Sequence, residues 1–244
     1  MTLSSEELYR FDVAGFFVRS DVLTADQVTC IIEQVRTDPH SVPAGAASVL
    51  IDHPAVVDAV GELIGASPRI EDVDVFRDTP ERPRLGGIRL DTPRYDLDIF
   101  DYRTVHGHPR CPTVRVSFEL SEVAGDQSVL VVPGSHRAAV PPPPNLDELA
   151  DNPGATLFVP YRCPAGGAVV AAHALLRYWP AAARARTAIE FVYVHPAVAY
   201  SRNIIRREVL ESLPKSRQAY FRDPWQYDFS CDPPRKNIID RFLT

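Results

Sequence analysis

The sequence predicts a mainly β fold of the sandwich or jelly-roll type, with helices near both ends of the chain. Seven short apolar runs point to it: 72–76, 87–90, 114–120, 128–132, 156–159, 168–172 and 187–194. Gly, Pro, Asn and Asp separate them, as turns separate strands. In one run Arg115, Ser117 and Glu119 alternate with Val114, Val116, Phe118 and Leu120, the period of two that a strand imposes on its side chains. Many short strands at this spacing suit a sandwich or a jelly-roll barrel.

Taken in order, residues 15–23 read as a strand and a turn. Thr24 then opens a capping box with Gln27. Val28, Ile31, Ile32 and Val35 follow at helical spacing, which predicts a helix over 24–36. A second helix is expected over 54–64, with Pro54 at its first position and Gly65 as its stop. The strands come next. The proline run at 141–144 forces an extended loop between two of them. The tail from 202 to 213 reads as helical, and Trp225, Tyr227 and Phe229 after it are expected to cover the barrel. With no internal repeat and no linker, the chain reads as one domain over 1–244: a helical part over about 1–66, a barrel over about 70–196 and an extension over 197–244.

Composition narrows the function classes. The 244 residues are 45% hydrophobic and 24% charged, enough for one sizeable core. No run of 18 apolar residues marks a membrane span, and the acidic N-terminus lacks the pattern of a secretory signal; the expectation is a soluble, cytoplasmic protein. Cys30, Cys111, Cys163 and Cys231 are scattered without CxxC spacing, against a zinc site or a disulfide framework. A net charge of −6 argues against a nucleic-acid partner. Lys215 and Lys236 are the only lysines, so nearly every cation is an arginine, the side chain suited to gripping carboxylates bidentately.

The stretch VVPGSHR, Val131 to Arg137, runs two β-branched residues into a tight turn. It closes the longer stretch VRVSFELSEVAGDQSVLVVPGSHR, which resembles the central hairpin of the phytanoyl-CoA dioxygenase (PhyH-like) family of Fe(II)/2-oxoglutarate oxygenases. Three other pieces match in order. RFDVAGFFVRSDVLTADQV resembles the family's opening strand and helix. Gly166-Gly167-Ala168-Val169-Val170 resembles the Gly-Asp strand that leads to the distal metal ligand. Arg186-Thr187-Ala188-Ile189 resembles the strand that holds the oxoglutarate carboxylate. The resemblance implies a double-stranded β-helix (jelly-roll, cupin-like) with a pocket between its sheets.

It also implies an iron site that the sequence does not repeat. The family's first two ligands come as His-x-Asp, and a facial triad needs two imidazoles and a carboxylate. His40, His53, His106, His108, His136, His173 and His195 are followed at the second position by Val, Ala, His, Arg, Ala, Leu and Ala. The motif's place falls on Arg89-Leu90-Asp91 or, in a later register, on Asp96-Leu97-Asp98; the first is preferred because Gly-Gly-Ile precedes it. The distal histidine falls on Arg177, with His173 four residues earlier. A guanidinium has no lone pair to give a metal and stays protonated.

The expectation is therefore a PhyH-like enzyme without metal or cofactor. It would carry out a non-oxidative cyclisation, isomerisation or elimination on a small anionic or polar molecule, with natural-product tailoring as the setting the resemblance implies. Asp91, His173 and Arg177 are the candidate catalytic residues; Arg89, Arg186, Tyr178 and Trp179 are the candidate substrate contacts. His136 reads as structural, and the Gly and Pro of VHGHPR place His106 and His108 in a loop. A homodimer is allowed; nucleic acid and membrane are not expected partners. The alternatives are an Fe(II)/2-oxoglutarate dioxygenase with ligands drawn from Asp91 or Asp98, His106, His108 and His173, and a non-catalytic binding or partner subunit.

Overall fold

The structure, a computed structural model, describes residues 2–78, 84–86, 102–124, 129–138, 140–150, 156–179, 186–199 and 205–224. The chain opens with α1 (Ser5–Ala14), then β1 (Phe16–Arg19), α2 (Ala25–Thr37) and α3 (Val57–Ile64). The strands follow: β2 (Arg69–Asp78), β3 (Arg84–Gly86), β4 (Arg103–Val105), β5 (His108–Arg110), β6 (Thr113–Glu119) and β7 (Leu130–Val131). After α4 (Leu146–Ala150) come β8 (Val159–Pro160), β9 (Ala168–Ala172), β10 (Arg177–Trp179) and β11 (Arg186–Val194), then α5 (Arg207–Glu211) and α6 (Lys215–Gln218).

Among the described residues two larger antiparallel sheets result, one of five strands in the order β1-β9-β6-β11-β2 and one of four in the order β3-β10-β7-β8, beside the two-stranded β4-β5 pair. The steps from β2 to β3, β6 to β7, β8 to β9, β9 to β10 and β10 to β11 each cross from one of these sheets to the other, while β7 and β8 pair directly. Helices α1, α2, α3 and α5 lie on one face of the larger sheet, while α4 packs against the smaller one. Phe11 of α1, Ile31 and Val35 of α2, and Val60, Leu63 and Ile64 of α3 form one buried cluster with Val114, Val116 and Phe118 of β6, Val170 of β9 and Ile189, Phe191 and Tyr193 of β11. The alternate residues of the same strands point the other way. Val169 and Ala171 there meet Val131 of β7, Trp179 of β10, Tyr161, Cys163 and Leu175, with Phe16 and Val18 packed against them. Being buried on both faces explains why β11 is almost continuously apolar.

The local signals account for the helix ends. Thr24 and Gln27 make the reciprocal capping box that the sequence predicts. Ser4 and Glu7 make a second one at the start of α1, a helix the sequence reading did not include, and Gly15 ends that helix in the left-handed region. Arg19 fixes α1 to its neighbours: its Nε donates to Glu7 Oε1 at 2.6 Å and its Nη1 to the Ala55 carbonyl. The helix expected from Pro54 starts at Val57, because Val56 and Val57 first turn back onto the His53 carbonyl.

Other expectations shift in the same modest way. VHGHPR is not a loop but the tip of the β4–β5 hairpin, in which His106 and Gly107 both take positive φ, the pattern of a two-residue primed turn. Of the tail helix expected over 202–213, the part from 205 on is described, and there the helix spans Arg207–Glu211. The strand expected at 87–90 lies outside the described residues, just beyond β3, as do Trp225, Tyr227 and Phe229. Among the described residues, Cys30, Cys111 and Cys163 are free thiols, and no helix is long and apolar enough to cross a membrane.

The PGSH turn has a defined structural task. Ser135 Oγ accepts from the Leu176 amide at 2.9 Å, and the Val132 amide donates to the Leu176 carbonyl at 3.0 Å. The turn thus pins the residue immediately before Arg177. His136 is fully buried and packs edge-on against Tyr102, with ring centroids 4.8 Å apart.

Candidate functional site

The space between the sheets carries a polar row that the alternation of β6 places there. Val114, Val116 and Phe118 face the helices, so Arg115, Ser117 and Glu119 face inward. Register puts Glu190 of β11 opposite Ser117 and Ala188 opposite Glu119. The same side receives His173, directly after β9, and Arg177, the first residue of β10. Arg186 is the first residue of β11.

These groups form two buried clusters. In the first, Glu190 is the centre. Arg177 grips it bidentately, with Nη1 to Oε2 at 2.6 Å and Nη2 to Oε1 at 3.1 Å. Arg115 Nη1 donates to Oε1 at 2.6 Å and Ser117 Oγ to Oε2 at 2.5 Å. Both oxygens of Glu190 are thus doubly donated to. Burial alone would raise the Glu190 carboxyl, but Arg177 and Arg115 outweigh it and hold it well below the usual carboxylate range. Arg115 also lies along the His173 ring, donating from Nε to Nδ1 at 3.0 Å, with Nη2 2.8 Å from Nε2. Burial, then the charges of Arg115 and Arg177, hold His173 well below the usual imidazole value. At neutral pH it is an uncharged ring with little tendency to take a proton.

In the second cluster Arg186 donates from Nε to Glu119 Oε2 at 2.9 Å and from Nη2 to Oε1 at 2.7 Å. Tyr161 OH donates to the same Oε1 at 3.0 Å and accepts from Arg186 Nη2 at 3.3 Å. Burial foremost pushes the Tyr161 phenol well above its ordinary value, so it remains a donor. Aromatic faces line both clusters: Arg177 sits 4.8 Å from the Trp179 ring centroid, Arg186 5.7 Å from that of Phe76, and the two rings stack at 6.3 Å. Arg177 Nε is buried without a hydrogen-bond partner.

The structure therefore brings together four of the residues singled out from sequence: His173, Arg177, Trp179 and Arg186. Tyr178 points to the opposite face of its sheet, where it packs with Phe158, Val132, Leu146 and Leu176. Arg89, Asp91 and the Asp96–Asp98 alternative lie outside the described residues. Arg115, Ser117, Glu119, Tyr161 and Glu190 were not singled out as site residues. The signal for them was available: a polar row on a strand whose other row is apolar, and one lone carboxylate in the apolar run TAIEFVYV.

Searches for relatives return likeness of fold rather than of sequence. No protein-family model matches the chain, and no curated protein matches it. Solved structures do. The fold resembles that of HygX. The iron-bound crystal structure of HygX from Streptomyces hygroscopicus superposes with a TM-score of 0.70 at 20% identity, over 84% of this chain and 91% of that one. HygX has also been solved with nickel and 2-oxoglutarate, at a TM-score of 0.68 and 19% identity over 84% and 91% of the two chains. SnoK, a non-heme α-ketoglutarate-dependent carbocyclase from nogalamycin biosynthesis, superposes at 0.60 with 18% identity over 87% of this chain and 92% of that one.

Among the described residues, no group of three His, Cys, Asp or Glu side chains is placed to hold a metal ion. His173 has both ring nitrogens within 3.0 Å of Arg115, and an ion beside it would face the guanidiniums of Arg115 and Arg177. His106 and His108 stand on an exposed hairpin. The Nε–Nη2 edge of Arg186 is bound to Glu119.

Proposed function

We propose that the chain is a small-molecule enzyme on the double-stranded β-helix of the PhyH-like Fe(II)/2-oxoglutarate oxygenases, and that it works without iron or oxoglutarate. The strand order of the two sheets supports that architecture. The observation that carries the loss of the iron site is the Arg177–Glu190 pair. The resemblance puts the distal metal ligand at Arg177, and this side chain is a buried cation locked by two hydrogen bonds onto a carboxylate.

The chemistry that suits such an interior is non-oxidative: cyclisation, isomerisation or elimination by proton transfer. Three guanidiniums against two carboxylates leave the described row with an excess of positive charge, which favours a substrate with an anionic or strongly polar group. Arg177 Nε is the donor left over to polarise a substrate oxygen, as a preorganised dipole in a dry site does. His173, held neutral, and Glu190, held ionised by four donors, are both poor proton acceptors at neutral pH. The proton-moving role in this reading passes to Asp91, which lies outside the described residues. Trp179 supplies an apolar wall. Natural-product tailoring is the setting we favour, since SnoK and the epimerase SnoN, both from nogalamycin biosynthesis, are built on related folds.

The test is to supply purified protein with Fe(II), oxygen, ascorbate and 2-oxoglutarate and measure succinate. No succinate above a heat-denatured control is expected. A second reading, an iron/2-oxoglutarate dioxygenase whose ligands include Asp91, is favoured by the iron and 2-oxoglutarate in the HygX structures; succinate formed in proportion to added iron would establish it instead.

A further inference from the structure

The Arg186 cluster has the composition of a carboxylate-binding site, and its carboxylate is the protein's own. Two guanidinium N–H groups on one edge of Arg186 meet the two oxygens of Glu119 at 2.9 and 2.7 Å, side-on and bidentate. That is the strongest arrangement in which an arginine holds a carboxylate. Tyr161 adds a third donor, and because its oxygen accepts from Arg186 Nη2, its proton is directed at Glu119. Phe76 lies under the guanidinium. Arg186 is 5% exposed, Tyr161 4% and Glu119 0%, so the cradle is closed to water.

The strand register explains why Glu119 fills it. Glu119 is the last residue of β6 and pairs with Ala188 of β11, two residues along from Arg186. A side chain of Glu length spans that diagonal. The Gly166 amide donates to the Glu119 carbonyl at 2.7 Å and the Glu119 amide to the Gly167 carbonyl at 2.9 Å, which fixes the Glu119 backbone from the β9 side.

We infer that Glu119 is a tethered ligand: its carboxylate occupies an Arg186–Tyr161 cradle built for a carboxylate, keeps free 2-oxo acids out, and leaves behind a site for a small carboxylate when it is removed. This rests on the reading above only in that neither has 2-oxoglutarate bound at Arg186.

The experiment uses formate, acetate and 2-oxoglutarate as probes, with sodium chloride at matched ionic strength as control. Thermal unfolding of the wild type is expected to respond to the carboxylates no more than to chloride. Glu119→Ala should unfold at lower temperature and recover saturably with formate or acetate in the millimolar range, as mass action requires of a ligand that binds only the folded state. Glu119→Ala/Arg186→Gln should lose that recovery. An Ala variant that responds equally to formate and chloride overturns the inference. So does calorimetric binding of 2-oxoglutarate to the wild type that Arg186→Gln abolishes, an arm that stands even if Glu119→Ala does not fold. Iron-dependent turnover in a protein that binds no 2-oxoglutarate at Arg186 would overturn the metal-free reading and leave this inference intact.

Discussion

Glu190 accepts four hydrogen bonds inside the sheets, two of them from Arg177 and one each from Arg115 and Ser117. Removing one partner of such a pair strands a buried charge, at a cost of about 3–5 kcal/mol. Urea unfolding of Arg177→Met or Glu190→Gln is expected to show losses of that size. The double variant should cost less than the two singles added, since each single already exposes its partner. Full additivity would mean that the two side chains do not interact. A smaller loss is expected for Ser135→Ala, which leaves the buried Leu176 amide without its acceptor: about 1–3 kcal/mol by the same assay. Sequence made part of this scale legible. Arg177 departs from the pattern that the resemblance implies, Arg186 matches it, and the inward row of β6 is visible in its alternation. Their partners are not visible, because Glu119 and Glu190 meet the arginines only through strand register, and register is set by pairings between distant segments.

Most of the elements that were legible have a local signal. The capping box of α2 and the period of β6 come from neighbouring residues, and both strands and helix appear where expected. β10 was missed as a strand because it is three residues long, too short to show a period, and exists through its pairing with β3 and β7. α1 was missed although Ser4 and Glu7 carry the capping signal that identified α2. The same helix gives a sharp prediction at its end. Gly15 has φ +87°, and a Cβ there would lie 2.6 Å from His136 Nδ1. Gly15→Ala must therefore adopt a left-handed backbone and displace a buried ring, and should cost well over the ~1 kcal/mol expected for Ser4→Ala at the other end. Thermal unfolding of the two variants compares them directly. Gly167 is constrained in a related way: a Cβ there would come within 2.6 Å of Cys163 Sγ, so the acid of the family's Gly-Asp pair has no room at this position.

For the molecule as a whole, pH couples to these buried groups. His173 binds its proton more weakly when folded than when unfolded. The unfolded chain thus binds more protons below about pH 6.5, and stability falls as pH drops through that value. Glu7, beside Arg19, is lowered to about 2, and Glu190 is also lowered. Their contributions are complete above about pH 4.5 and are lost as pH falls toward their folded values. Stability measured by chemical denaturation should therefore be flat near neutrality, decline below about pH 6.5, and decline more steeply below about 4.5. His173→Leu should flatten the upper part of that slope. Whether the chain holds iron is read from an anaerobic titration of the purified wild type with Fe(II), followed by dialysis and metal analysis. Far less than one iron per chain and no saturation are expected. One iron retained per chain, and released by Asp91→Ala, would show that the protein keeps a metal centre.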